Sequence, residues 1–224
     1  MKRLFVLGIL LSALCSLSAS WYIGGEAGYN HSFVSSATRF PSTEMKGSSG
    51  FDLSFIAGYE LMDCISFESG IRYSMKNMHY SKEDVDNLTV MHNFLELPLS
   101  VSFSFGSDRV RGFVGGGGYI GIRFLQAVAG RTMLGSESLE NMTSVPNSSY
   151  VFTFIDFNSG DNLFDAGLEA YAGVSYFLPS ENNTEIYLKA RYQYSLTSLS
   201  KGQKDNVDTY IDALSVDIGV RVGV

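Results

Sequence analysis

The chain is short of the residues that enzymes and disulfide scaffolds depend on. It holds three histidines and two cysteines among 224 residues. Gly-x-Ser-x-Gly elbows, phosphate loops, dinucleotide fingerprints and metal-ligand spacings are absent, and the glycine run 115–118 leads into neither a helix pattern nor a Lys. No cofactor and no metal are therefore expected, and the reading is of a protein that is not an enzyme. Two cysteines, Cys15 and Cys64, are too few for a disulfide framework. Positive charge is also in deficit. Sixteen Lys and Arg against 23 Asp and Glu give a formal charge of −7, which excludes nucleic acid as a partner. Apolar runs long enough for a spanning helix, roughly 20 residues, are missing as well.

The one sustained apolar run, 4–14, follows Met1-Lys2-Arg3 and is followed by small residues up to Ser20. A basic start, a short apolar core and small residues read as a secretory signal over 1–20, cleaved before Trp21. Leu14 is too large for the position before a lipidated cysteine, so Cys15 is expected to leave with the signal. Cys64 would then remain as a lone thiol in one mature domain, 21–224.

What the rest of the chain has in abundance is alternation. Eight segments place apolar residues on one face and polar residues on the other, about 21–33, 50–62, 65–78, 93–105, 110–124, 163–178, 185–196 and 210–224. Successive side chains of a strand point to opposite faces. In the first segment Trp21, Ile23, Ala27, Tyr29 and Phe33 oppose Tyr22, Gly24, Glu26, Gly28, Asn30 and Ser32. In the seventh Ile186, Leu188, Ala190, Tyr192 and Tyr194 oppose Tyr187, Lys189, Arg191, Gln193 and Ser195. The polar faces carry Glu26, Asp52, Glu60, Glu68, Glu96, Asp165, Glu169 and Asp217 with Arg72, Lys76, Arg111, Arg123, Lys189, Arg191 and Arg221. The signs nearly balance, and the faces are too charged for an ordinary sandwich surface. Apolar outside and polar inside is the pattern of a barrel in a membrane.

The connectors strengthen this. They are short after the second, fourth and sixth segments and long after the others, at 34–49, 79–92, 125–162 and 197–209. Short periplasmic turns, long external loops and an even strand count describe an all-β, eight-stranded, antiparallel up-and-down transmembrane β-barrel. Eight strands leave an interior just wide enough for side chains, so a filled lumen is expected. Tyr29, Phe33, Tyr59, Tyr73, Tyr176, Tyr192, Tyr194 and Tyr210 lie toward strand ends, where aromatic girdles form. Pro98, which donates no ladder hydrogen bond, is awkward in the fourth strand.

Candidate contacts lie at the external end. His31, His79 and His92 fall there, with Glu83, Asp84 and Asp86 between the last two. The stretch 150–157 is aromatic, yet its own alternation reads as a continuation of strands five and six. An extracellular ligand would be met by the four long loops.

Phe94-Leu95-Glu96-Leu97-Pro98-Leu99, then Gly115-Gly116-Gly117-Gly118-Tyr119-Ile120-Gly121, then Arg191-Tyr192-Gln193-Tyr194-Ser195-Leu196-Thr197 occur in an order and spacing that resembles a family of small, PorT-like bacterial outer-membrane β-barrel domains. The chain differs from many such barrels in ending Val222-Gly223-Val224 rather than on an aromatic residue. The resemblance implies an outer-membrane location and assembly by the barrel insertion machinery, and no particular activity. A monomer in contact with outer-membrane lipid is expected. The role expected is structural or adhesive. A rim enzyme acting on lipid, which would need the histidines, and a narrow solute channel are the alternatives. A secreted soluble barrel, charged face outward, is a third.

Overall fold

The computed structural model describes residues 20–36, 43–62, 64–82, 86–132, 149–179, 183–200 and 208–224. These form nine strands: β1 Ser20–Ser36, β2 Thr43–Met62, β3 Ile65–Lys82, β4 Asp86–Gly106, β5 Val110–Thr132, β6 Ser149–Phe154, β7 Phe164–Phe177, β8 Glu185–Ser195 and β9 Thr209–Gly223. Each neighbouring pair is antiparallel. β1 through β5 follow in order, β5 pairs with β7, then β8 and β9 follow, and β9 returns to β1. The result is a closed ring of eight, with β6 added to the free end of β5 beyond the point where β7 leaves it. Among the described residues no helix is long and apolar enough to cross a membrane.

The two faces sort as the alternation requires. Trp21, Phe55, Leu99, Ile122, Leu168, Tyr194 and Ile218 are exposed on the outer wall, whereas Glu26, Arg72, Lys76, Glu96, Lys189, Arg191 and Asp217 are buried inside. A soluble carrier with its charged face outward is thereby overturned. Aromatic girdles mark both rims. Trp21 meets Tyr59 at 4.9 Å on the short-turn side, and Phe51–Tyr73–Phe124 form a chain at 5.3 and 6.2 Å on the other.

Expectations about strand ends are corrected. β1 to β5 run far past the lipid-facing band, so that most of 34–49 and 79–92 is strand: only 37–42 and 83–85 lie between the strands. β5 likewise enters the expected loop 125–162, and β6 lies within it, as the alternation of 150–157 suggested. Beyond the band the outer face no longer has to meet hydrocarbon, the apolar–polar contrast fades, and only the backbone ladder marks the strand. Residues 133–148 and 201–207 lie outside the described residues.

Pro98 is accommodated by a gap. The β3–β4 register passes from Ser69↔Leu99 to Arg72↔Glu96, while Ser69 Oγ donates to the Pro98 carbonyl at 2.9 Å. Pairing with β5 continues through Pro98↔Tyr119.

Five inward aromatics lie flat across glycines that are their register partners: Tyr22 on Gly58, Phe113 on Gly173, Tyr171 on Gly115, Tyr119 on Gly167 and Tyr187 on Gly219. A Cβ at any of these glycines would overlap the ring. In a lumen this narrow, a large ring fits only where the facing residue has no side chain. Gly219→Val should displace Tyr187 and lower stability by about 1–3 kcal/mol. Gly25→Val points into lipid, and its Cβ meets only the Ser54 carbonyl at ordinary contact distance. It should leave the midpoint of urea unfolding in lipid vesicles nearly unchanged; equal effects from both variants would refute this packing account.

Candidate functional site

The lumen is the most organised region of the molecule. Because every strand of the ring is tilted and paired on both sides, the inward residues stack in layers from one mouth to the other. Near the short-turn mouth the Arg221 guanidinium lies 4.4 Å from the Tyr187 ring and 5.0 Å from Tyr22, and donates to Glu68 at 2.8 Å. It forms the floor of a vestibule of about 440 Å³ whose walls include Glu60, Arg111 and Phe177.

Above this floor Lys189 Nζ contacts Glu26 at 2.5 Å, and Tyr187 Oη donates to the same carboxylate at 2.9 Å. Arg191, 1% exposed, is the hub of the central layer. It reaches Glu26 at 3.0 Å, Asp52 at 2.9 Å and Asp217 at 3.3 Å. Asn30 Nδ2 and Ser74 Oγ each donate to Asp52 at 2.7 Å. The next layer joins Arg72 to Glu96 at 3.2 Å and to Glu169 at 2.9 Å. Lys76, fully buried, reaches Glu96 at 2.9 Å and Asp165 at 3.1 Å. Gln193 Nε2 donates to Glu96 at 2.9 Å, and the hydroxyls of Ser195 and Thr197 donate to Asp165 at 3.0 and 2.9 Å.

The outer mouth is closed by a clasp. Arg123 faces inward beside His92, with 3.4 Å between guanidinium and Nδ1. It binds Asp161 at 3.4 Å, donates to the Leu199 carbonyl at 3.2 Å and lies 5.2 Å from the Phe157 ring. A bridge Asp161↔Ser200 and a bond from Asn162 Nδ2 to the Ser198 carbonyl tie the two covering segments together. Among the described residues six buried cations face seven buried carboxylates, and every one of the six cations contacts an acid.

All fifteen charges expected on the inner face are there, with Glu60 and Arg111 half-exposed at the short-turn mouth as a pair 3.4 Å apart. The three histidines do not converge. His92 faces the lumen, opposite Lys76 in register. His31 packs edge-on to outward Phe33 at 5.2 Å, and His79 contacts Thr89 Oγ1 at 3.3 Å. Glu83 and Asp84 lie outside the described residues, and among the described residues no group of three His, Cys, Asp or Glu could hold a metal. Sequence reasoning missed Asp161, Thr197 and Leu199, the groups that close the outer mouth. They lie outside any alternating run, so nothing local announced them.

A family model for the outer membrane protein beta-barrel domain matches residues 16–201. Among solved structures the chain is similar to Neisserial surface protein A, with 18% identity, a TM-score of 0.45 and coverage of 92% of this chain and 98% of that one. It is similar to Ail, the attachment invasion locus protein of Yersinia pestis, at 13% identity and TM-score 0.42 over 90% and 99% of the two chains. The outer membrane protein OprG of Pseudomonas aeruginosa follows at 12% and 0.46 over 92% and 96%. A search of curated proteins returned no match.

Removing one partner of a buried ion pair is costly because the other is left uncompensated. Arg191→Met, which strands Glu26, Asp52 and Asp217 around an apolar side chain, should cost about 3–5 kcal/mol in reversible unfolding. Arg111→Met, at the half-exposed pair with Glu60, should cost no more than about 1 kcal/mol. A mild loss at Arg191 would mean that the central layer is solvated rather than sealed.

Proposed function

The chain belongs to the outer membrane protein beta-barrel domain family and resides in the bacterial outer membrane, and from that premise we propose that it is a plugged anchor for a surface-presented sheet, not a porin and not a catalyst. The observation that carries this reading is the filled lumen. An eight-stranded barrel has room for one set of inward side chains, and here that set is cross-linked into ion pairs from Arg221 to Arg123. Ions would have to break these pairs to pass. Histidines split between the two faces of the wall give a rim enzyme no constellation in which a base could activate a nucleophile.

What the barrel anchors is the taller side of its external rim. β2, β3, β4 and β5 span 20, 18, 21 and 23 residues, far more than the roughly 9–11 a strand needs to cross. They rise together, with β6, as a sheet beyond the girdle. A rigid sheet held clear of the membrane is suited to contact with an external ligand. Removal of 1–20 and delivery by the insertion machinery belong to the same proposal.

Purified chain 21–224 in planar bilayers should give no stepwise conductance, while migrating as a heat-modifiable band in gels. Regular conductance steps from folded protein would overturn the plugged reading in favour of a narrow solute channel.

A further inference from the structure

β6 is the one strand that the barrel does not need. Among the described residues it pairs only with β5, in the register Ala127↔Phe154, Ala129↔Phe152 and Arg131↔Tyr150. Register partners share a face, so the three aromatics lie on the face of Ala127. That face can be traced down β5. Gln126 pairs with lumen-facing His92 and is inward. Leu125 pairs with Asn93, whose Oδ1 accepts from the hydroxyl of lipid-facing Tyr73 at 2.5 Å, and is outward. Ala127 and Ala129 continue outward. Tyr150, Phe152 and Phe154 therefore extend the lipid-facing wall upward from the Tyr73–Phe124 girdle.

Their exposure is unlike that of an edge strand meant for water. They are 72%, 57% and 64% exposed, with the two phenylalanine rings edge-to-face at 5.5 Å. Edge strands in water are usually blunted by charge; β6, Ser-Tyr-Val-Phe-Thr-Phe, has none. The order also matters. Phenylalanine stands next to the girdle, and tyrosine, with its hydroxyl, stands farthest from it. Aromatic rings with a polar tip favour the membrane–water interface. Tyr150 and Phe154 are about 13 Å apart along the strand, or about 10 Å of height at a tilt of ~40°. The interfacial layer of one leaflet is about 5–8 Å deep, and the stripe, whose lower end at Phe154 stands opposite Ala127, three residues above Phe124, rises from that layer toward the water.

We propose that the outer face of β6 lies against the headgroup layer of the outer leaflet, a strut that carries lipid contact beyond the girdle and braces the tall side of the rim. The occupant is lipid because the stripe is continuous with the lipid-facing wall and β6 contributes no charge of its own with which to select a soluble partner; the one charged residue paired with it, Arg131, stands opposite Tyr150 at the end farthest from the girdle.

The test uses Trp21, the only tryptophan in the chain. In a Trp21→Phe background, Phe152→Trp places a single reporter on the stripe, and Thr153→Trp places one on the opposite face of the same strand. Both proteins are refolded into phospholipid vesicles containing lipid with a quencher at the headgroup. Phe152→Trp should show blue-shifted emission and severalfold stronger quenching by labelled lipid than Thr153→Trp, which should respond to iodide instead. Tyr150→Trp replaces Phe152→Trp if the latter does not fold. Water-like emission quenched by iodide at both positions would overturn the proposal. So would a blue shift that ignores labelled lipid and grows with protein-to-lipid ratio, since a second copy would then cover the stripe. Conductance plays no part in the readout, so a failure of the plugged reading would leave this result standing.

Discussion

A chain that crosses hydrocarbon cannot leave a backbone N–H or C=O unpaired, and a sheet satisfies this only by closing on itself. The β1–β9 ladder performs that closure, running from Tyr22↔Gly223 to Ser36↔Thr209. Without it both strands would present open edges to lipid. With it the girth is set at eight strands, and girth dictates the rest. The lumen becomes too narrow to hold a column of water, so side chains must fill it. The outer wall must be apolar without interruption. Each strand therefore answers two demands on alternate residues, which is why period-two alternation dominates the sequence.

Closure also explains why so many charges are tolerated inside. Contacts such as Arg72–Glu169 and Gln193–Glu96 join residues 97 positions apart on strands that are not neighbours. They exist only after the ring has formed. In turn they hold its register. A slip of one residue would turn Arg191, Lys189 and Glu26 toward lipid and Tyr192 and Leu188 into the lumen. A charge at the bilayer centre costs several kcal/mol, so the polar interior penalises every wrong register of every strand. Ladder and lumen thus specify each other. The glycines under Tyr22, Tyr171 and Tyr187 serve the same end, since each ring fits over one position only.

The face of nearly every strand residue was legible from alternation, because facing depends on parity alone. Partners across the lumen were not, because they depend on the stagger between strands, which no local pattern records. Asp52 and Arg191 could be placed inside but not placed together. Strand ends were misjudged for a related reason. At 43–48 and 86–92 the outer face has left the lipid, so alternation no longer separates lipid from lumen, although hydrogen bonds continue. The histidines show the hazard of reading proximity from sequence. His79 and His92 flank the same hairpin, yet their register partners, Thr89 and Lys76, place them on opposite faces of the wall.

The rim divides its labour unevenly. β7, β8 and β9 end after 14, 11 and 15 residues, and over their side the segments 155–163 and 196–200 fold inward to be pinned by Arg123. The other side rises as β2 to β6. Closing the mouth needs only the clasp, and crossing the membrane needs only the lower half of each tall strand. The residues above the girdle therefore repay neither task. Ordering them costs about 1–2 kcal/mol each in backbone entropy, which ladder hydrogen bonds exchanged against water offset only in part. A tall sheet is stable when its faces find contacts that water does not supply. Inside the rim such contacts include buried Met78 and Val90. On the outside the side chains that await a partner are the aromatics of β6, and the surface within their reach is the membrane that the barrel already occupies.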